Sequence, residues 1–211
     1  MQKETKRTHT LRIIVEIAFL ALFGFLFFRG SIQLWLGVFA AGALLSLVFG
    51  RIYCGWICPM NTLFRPITWT RKKLNIKPLK TPGFLKHPAA RIVFVVLFFG
   101  TMLITKRMGM DLPVPAIITG LSVLVVIFFE EALWHNSICP YGTIFSLSSR
   151  PAKKGMAIDE AECISCGKCQ KVCPSNAIDT LDTKKRRIRK PDCLVCRSCA
   201  EVCSVGAIKY R

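Results

Sequence analysis

Two closely spaced runs of cysteine near the end of the chain constrain its folding more than any other feature. The first run has cysteines at positions 163, 166, 169 and 173, and the second, 30 residues further on, has them at 193, 196, 199 and 203. The flanks repeat as well, since Ala177-Ile178 corresponds to Ala207-Ile208 and Glu162 corresponds to Asp192. Two tandem runs with matching flanks indicate a duplicated structural unit within residues 157–211.

The spacing C-x2-C-x2-C-x3-C is that of bacterial ferredoxins, in which the fourth cysteine of each run binds the other cluster. Soft thiolates suit iron–sulfur centres, so we predict a small α+β domain with two [4Fe–4S] clusters. The predicted ligands are Cys163, Cys166, Cys169 and Cys203 for cluster I, and Cys193, Cys196, Cys199 and Cys173 for cluster II. The second run has Ser204 where proline is usual, which changes a turn but removes no ligand. The alternatives are a zinc site, which usually pairs C-x2-C knuckles, and a disulfide framework, which needs an oxidising compartment.

The remainder of the chain is too apolar to be a second soluble domain. The whole sequence is 52% hydrophobic, although its formal net charge is +18. Residues 1–149 hold most of the apolar runs with 16 Lys+Arg against 5 Asp+Glu, net +11, whereas residues 150–211 have 14 against 7, net +7. We therefore predict a membrane domain over residues 1–149, then a linker and the ferredoxin domain over residues 150–211. The basic excess favours positive-inside membrane loops, and no aromatic-and-basic interleaving suggests nucleic-acid binding.

Four apolar runs predict a multi-pass helical membrane domain. They are Leu11–Phe28, Ile32–Gly50, Ala89–Thr105 and Leu112–Phe129. Their lengths approach or reach those that cross a bilayer, and together they leave too little polar surface for a soluble bundle. Bulky residues stand where a signal-peptide cleavage site would need small ones, so the first run is expected to be retained. Lysine and arginine are concentrated in the N-terminal arm and in the loop between the second and third runs. This bias predicts four spans in a bacterial or archaeal cytoplasmic membrane, with both termini in the cytoplasm.

A second repeat lies at the ends of the second and fourth apolar runs. Residues 52–64 align without gaps on residues 133–145, so the membrane domain is predicted to be a duplicated helical hairpin whose halves each carry a [Cys/His]-x3-Cys-Pro motif. Four-residue spacing places both side chains on one side of a helical turn. The predicted set for a third iron–sulfur cluster or a metal ion is Cys54, Cys58, Cys139 and His135. The alternatives are buried structural cysteines, an interfacial His135 and a reversible Cys54–Cys58 disulfide.

The motifs together resemble one family, the polyferredoxin-like membrane proteins of the NapH, NosR C-terminal and CcoG type. The resemblance rests on Arg51-x-Tyr-Cys54-Gly-Trp-x-Cys58-Pro, the later Cys139-Pro-Tyr-Gly, and the tandem ferredoxin tail. It spans nearly the whole chain and implies quinol oxidation that feeds periplasmic reductases through partner subunits. The family motif has cysteine at the position of His135, so this chain departs from it there.

These observations predict a membrane-anchored electron carrier of an oxidoreductase system, with the bilayer, redox proteins and quinone as its partners. No catalytic residue is assigned, because the sequence has no nucleotide-binding glycine fingerprint, nucleophile–base pair or haem motif. The redox chemistry would belong to the clusters. Two alternatives remain, a CcoG-like maturation factor that reduces a metal ion and a redox-sensing membrane regulator.

Overall fold

The computed structural model describes residues 2–109 and 113–211. The first part of the chain is helical throughout. Its helices are α1 (Gln2–Phe28), α2 (Trp35–Phe49), α3 (Ile52–Trp56), α4 (Pro59–Lys73), α5 (Pro88–Arg107) and α6 (Val114–Phe128). A short 3-10 turn, Ile32–Leu34, joins α1 to α2, and another, Gly83–Lys86, precedes α5. The start of the fourth predicted span, Leu112, lies outside the described residues.

Two of these helices contain segments long and apolar enough to cross a bilayer, Arg7–Phe28 and Ile32–Phe49. Only 17% and 22% of the apolar part of these two segments is buried within the protein, whereas the core helix of a soluble protein is mostly buried. The apolar stretches of α5 and α6, Ala89–Thr105 and Val114–Phe128, are shorter. The outward faces of all four helices carry large apolar side chains, such as Ile14, Leu44, Val96 and Leu124. A contiguous apolar exterior of this kind is typical of a surface that contacts lipid or another protein.

The two [Cys/His]-x3-Cys-Pro motifs differ in their first turn but end in the same way, at a helix that begins with proline. The second copy of the motif consists of α7 (Glu131–Leu133), a π-helical turn over Trp134–Ile138, and α8 (Pro140–Ser148). Pro59 and Pro140 each begin a helix, where the missing N–H costs nothing. The preceding cysteines are nearly superimposable in conformation, with φ,ψ of −63°, 119° at Cys58 and −65°, 112° at Cys139.

The end of the chain forms a small α+β unit with internal two-fold repetition. Its elements are β1 (Met156–Ile158), α9 (Lys168–Lys171), β2 (Ile178–Thr180), β3 (Arg186–Ile188), α10 (Ser198–Glu201) and β4 (Ile208–Tyr210). Strands β1 and β4 pair antiparallel, as do β2 and β3. The first cysteine run lies between β1 and β2, and the second lies between β3 and β4. Branched residues of the strands pack with the cysteines in one core. The prediction of a helical part followed by a small α+β unit is confirmed.

The helices approach the α+β unit with alternating direction. The first half of α1 contacts α10, where the Arg12 guanidinium donates to the Ser198 hydroxyl at 3.3 Å. The C-terminal end of α2 contacts β4, since the Tyr210 hydroxyl donates to the Phe49 carbonyl at 3.1 Å. Near the start of α5, Arg91 pairs with Asp192 at 3.0 Å. The two parts of the chain are therefore packed together, and the division at residue 149 stays a prediction.

Candidate iron–sulfur sites

The first predicted thiol set lies around one cavity at the outer end of the α+β unit. This set, hereafter set I, contains Cys163, Cys166, Cys169 and Cys203, and all four line the same cavity. Its wall also contains apolar side chains and the basic residues Lys168 and Arg186, and Cys166 is exposed at the surface. Three neighbours in sequence and one cysteine from the other run are thus brought together, as the crossed pattern of two-cluster ferredoxins requires.

The second thiol set lies around a separate cavity on the side of the helices. Set II contains Cys193, Cys196, Cys199 and Cys173, and all four line it. Its apolar lining includes Met156, Ile178 and Leu194. Cys196 and Cys199 are buried, and Leu194 has only 1% of its surface exposed. The two sets have the same spacing and different surroundings.

The two cysteine loops have similar backbone conformations, because residues with positive φ recur at matching positions. In the first loop they are Ser165 (φ 61°) and Gly167 (φ 74°), and in the second they are Val195 (φ 55°) and Arg197 (φ 61°). A β-branched residue in this region is a genuine outlier. Such strain persists only where surrounding structure enforces it, and it clusters at functional sites. Val195 is buried, so packing holds this loop in its strained form.

The donor atoms of both sets suit a [4Fe–4S] cluster. Backbone amides point at the sulfurs, with Ala177 N–H donating to Cys173 Sγ at 3.3 Å and Val195 N–H to Cys193 Sγ at 3.4 Å. Amide hydrogen bonds to cysteine sulfur are among the features that set cluster potentials. Burial raises the pKa of Cys193 to about 12, so iron binding there would be coupled to release of the thiol proton. Across residues 2–109 and 113–211, no three His, Cys, Asp or Glu side chains are gathered as a single-ion site.

The cysteines of the two [Cys/His]-x3-Cys-Pro motifs, hereafter the membrane motifs (residues 52–64 and 133–145), also come together. Cys54 and Cys139 are each 6% exposed, and Cys58 packs in the apolar clusters of both. Cys58 and Cys139 stand at the N-termini of α4 and α8, and the Gly142 N–H donates to Cys139 Sγ at 3.3 Å. Helix N-termini favour thiolate, but burial has the larger effect here and raises the pKa of Cys139 to about 12. Binding of a metal ion or cluster by Cys139 would therefore be coupled to release of its thiol proton.

His135 is buried near this thiol group without a hydrogen-bond partner on its Nε2 atom. Its ring packs edge-on against Phe64, with centroids 5.5 Å apart. Burial, reinforced by the positive charge of Arg51, lowers the pKa of His135 to about 3. The imidazole is therefore neutral, which is the form that binds metals. The structure brings His135 to the same buried region as the cysteines but shows no direct contact between them.

Both copies of the membrane motif contact the surroundings of set II. In the first copy, the Trp56 indole N–H donates to the Val195 carbonyl at 3.1 Å. At Gly55, a β-carbon would lie 2.2 Å from the Leu194 carbonyl oxygen, so only glycine permits this approach. In the second copy, the Asn136 amide donates to the Ser175 carbonyl at 2.5 Å, two residues beyond Cys173. The two motifs thus contact set II at both chain segments that form it, the second cysteine loop and the end of the first run.

An apolar cavity adjoins Cys58 on the side of the helices. Its wall includes aromatic residues from α1, α2, α3 and α8: Phe23, Trp35, Phe39, Tyr53 and Tyr141. The Trp35 indole N–H donates to the Tyr53 hydroxyl at 2.9 Å, which fixes a polar group in a mostly apolar wall. Small-molecule sites combine such apolar surfaces with a few placed polar groups.

Sequence reasoning found the thiols and missed the residues that connect them. Arg51 stood in the motif of the family resemblance without a predicted role, yet its side chain is fully buried beside Cys54. Its place directly before the Cys54 motif was the available signal. Asn136 and Ser175 carried no signal, because ordinary polar residues gain their role here only through tertiary contact.

Comparisons with known proteins agree with this geometry. The family model described as "4Fe-4S binding domain" matches residues 31–77 and 112–156, which include the two membrane motifs. The model described as "4Fe-4S dicluster domain" matches residues 156–210, which include both cysteine runs. No solved structure matches the chain.

Among curated proteins, several similar relatives are named as ferredoxin-type proteins. The chain is 28% identical over 141 residues to the methylamine utilization ferredoxin-type protein MauN of Methylobacillus flagellatus, covering 59% of this chain and 48% of that protein. It is 26% identical over 144 residues to the ferredoxin-type protein NapH of Haemophilus influenzae, covering 61% and 49%. An uncharacterized protein of Methanocaldococcus jannaschii is 27% identical over 135 residues, covering 62% and 54%. The chain thus spans about half the length of these relatives. Together with the two 4Fe-4S family matches, these likenesses support a resemblance of the chain to NapH-like polyferredoxins, which are ferredoxin-type proteins.

Proposed function

We propose that this protein is a membrane-anchored electron carrier. It holds two [4Fe–4S] clusters and passes single electrons between a quinol or cytoplasmic donor and a reductase partner in or across the membrane. The observation that carries the proposal is the contact of both membrane motifs with the loops of set II. A cluster bound there lies against the membrane half, whereas one bound by set I faces solvent.

The membrane anchor is proposed as four spans with both termini in the cytoplasm. Two helices have the length and apolarity of spans, and most of their surface is not buried in the protein. Helices α5 and α6 are shorter, but they share the apolar exterior of α1 and α2. The ferredoxin unit then lies on the side that carries the basic loops, which is cytoplasmic by the positive-inside rule. Cytoplasmic conditions also keep cluster thiols reduced.

A third centre is proposed at the membrane motifs. Cys54, Cys58 and Cys139 are buried in contacting apolar clusters, and the neutral His135 lies nearby as a possible fourth ligand. The same region falls in a match to a 4Fe-4S binding domain. A cluster or metal ion here would extend the path of electrons from set II to the edge of the bilayer.

The apolar cavity beside Cys58 is the proposed site of a quinone. A quinone ring needs a flat apolar surface and one or two hydrogen bonds, which the aromatic wall and the Tyr53 hydroxyl supply. The cavity lies among helices of the proposed membrane domain, so a lipid-soluble ligand would enter it from the bilayer.

Iron and acid-labile sulfide analysis of the anaerobically purified protein, with EPR of the reduced sample, tests the cluster assignments. Sets I and II alone predict about eight irons per chain, and a third cubane raises this to about twelve. A Cys58→Ser, Cys139→Ser double variant would then fall back to eight. A Cys166→Ser variant is the matched control, since it removes a ligand of set I only. A wild-type content near two irons or with zinc in place of iron would contradict the proposal.

Reduction of the clusters by a quinol in membranes tests the direction of electron flow. We expect the EPR signals of the reduced clusters to develop with a reduced lipid-soluble quinone and to be weakened in a Tyr53→Phe variant. Copper-dependent reoxidation without any quinol response would indicate the maturation role instead.

A further inference from the structure

Arg51 is a fully buried cation at the boundary between the membrane motif and set II. Its exposed fraction is 0%, and it is among the largest completely buried side chains of the protein. Burying an arginine is costly unless its charge is balanced and its N–H groups are bonded. The charge of Arg51 therefore has to be balanced by other groups close to it.

The hydrogen bonds of Arg51 join the two candidate centres. One guanidinium nitrogen, Nη2, lies 3.9 Å from Cys54 Sγ, and the other, Nη1, donates to the Pro191 carbonyl at 3.3 Å. Pro191 stands two residues before Cys193, the first thiol of set II. The same side chain therefore touches a membrane-motif thiol and the entry to the second ferredoxin loop.

Ordinary partners do not neutralise this charge. In the part of the chain that the structure describes, the ion pairs do not include Arg51, and its Nε atom has no hydrogen-bond partner. Space around it is also tight, because a β-carbon at Gly142 would lie 2.9 Å from Nη2. The guanidinium is thus held in one place without a carboxylate.

We infer that Arg51 is a positioning residue whose fixed positive charge is balanced by the thiolate-bound clusters and raises the reduction potential of cluster II above that of cluster I. The inference rests on the proposed function, since it takes set II to hold a [4Fe–4S] cluster. Thiolate ligands make such a cluster anionic, and each reduction adds a further negative charge. A nearby cation favours the more negative form, so Arg51 favours reduction of cluster II.

Electrostatic reach supports this assignment. The Arg51 guanidinium donates to the carbonyl of Pro191, two residues from the ligand Cys193, and its complete burial keeps water from screening the charge. Set I has cations of its own, because Lys168 and Arg186 line its cavity and the Lys185 ammonium donates to the Cys163 carbonyl. Lys168 is exposed and the other two are only half-buried, so water screens their charges better than that of Arg51. The stronger effect is therefore expected on the membrane side.

An EPR-monitored redox titration of the purified holoprotein tests the inference. In Arg51→Gln, we expect the reduced-to-oxidised ratio of cluster II at a fixed ambient potential to fall about tenfold, which corresponds to about 59 mV for one electron. The midpoint potential of cluster I should stay unchanged. Arg186→Gln is the matched control and should lower the midpoint potential of cluster I by a smaller amount. Arg51→Lys retains the charge and should keep the midpoint close to that of the wild type.

Each result decides the question. An Arg51→Gln protein in which neither midpoint moves, or both move equally, overturns the inference. If Arg51→Gln loses half of its iron, Arg51→Lys decides: recovery of the iron and of the midpoint supports a role of the charge, and a lysine variant equally poor in iron overturns it. A wild-type protein without two cluster signals would refute the proposed function itself, which is a separate outcome.

Discussion

Sets I and II have the same spacing and nearly the same loop conformation, but one faces solvent and the other faces the helices. In set I, Cys166 is exposed and the neighbouring Ile164 has 58% of its surface exposed. In set II, the corresponding Cys196 and Leu194 are 9% and 1% exposed, because α3 covers them. Local sequence therefore determines where the thiols converge, whereas the contacts around them determine which set is open to water and which set is covered by the helices.

Loss of one thiol from each set gives the largest expected effect. Cys166→Ser and Cys199→Ser should each lose about four irons, because each removes one ligand of one cubane. Since set II also forms the contact with the helices, Cys199→Ser should in addition expose the segment around Gly50–Trp56 to protease. Metal binding and folding are coupled at such sites. Limited proteolysis of the detergent-solubilised variants measures this, and equal protection of both variants would contradict the comparison.

A methyl group at Gly55 should disturb set II alone. The nearest atoms are backbone atoms of Leu194 and Cys196, at 2.2 Å and 3.1 Å from the added carbon, so the two parts have to separate. We expect Gly55→Ala to lower the free energy of unfolding by about 1–3 kcal/mol. Gly37→Ala is the control, because Gly37 lies in α2 with no atom within 4 Å of the added carbon. It should be neutral or slightly stabilising in a thermal unfolding assay. If both variants unfold alike, the close approach of α3 to set II is not important for stability.

Asp192 and Glu162 occupy equivalent places in the two repeats and provide a matched pair of charges. Asp192 bonds to Arg91 of α5 and to Arg189, both at 3.0 Å, whereas Glu162 pairs with Lys209 at 3.2 Å where both side chains are about half exposed. Burial alone would raise the pKa of Asp192, but the bonds from Arg189 and Arg91 outweigh it and hold the pKa below its usual range. Asp192→Asn should therefore cost about 1–2 kcal/mol of stability.

The equivalent change in the first repeat, Glu162→Gln, should cost less than about 1 kcal/mol, since exposed pairs contribute little. Denaturant unfolding followed by the cluster absorbance measures both variants. A larger loss of stability from Glu162→Gln than from Asp192→Asn would contradict the conclusion that the second repeat is the one packed against the helices.

The smallest effect is expected at the basic rim of set I. Lys168 is exposed at the cavity, so its charge should attract an anionic donor. Lys168→Gln should slow reduction by dithionite about two- to threefold at low salt, and the difference should disappear as salt screens the charge. Stopped-flow absorbance measures the rates. Lys80→Gln, in the loop before α5, is the control that should leave them unchanged.

The fold and the thiol sets were predictable to different depths. The cysteine runs predicted the crossed sets because their spacing allows few arrangements. The apolar runs located α2, α5 and α6 within a few residues, but α1 begins at Gln2, well before its predicted start at Leu11, and no apolar run predicted α4. The predicted ends of the short spans were less certain, as α6 ends at Phe128 after only 15 residues. Arg51 was not predictable as a buried residue, because basic residues at helix ends usually extend to the membrane surface. Its burial depends on a contact with Pro191, which is 140 residues away in sequence.

The most direct test of the account is the accessibility of each cluster to a water-soluble paramagnetic lanthanide chelate, measured by EPR relaxation in detergent or lipid nanodiscs. Single-cluster forms made with Cys166→Ser and Cys199→Ser separate the two signals. The account predicts strong relaxation enhancement for the cluster bound by set I and little for the cluster bound by set II, which α3 and the membrane motifs cover. Equal enhancement of both clusters, or stronger enhancement of the set II cluster, would contradict it.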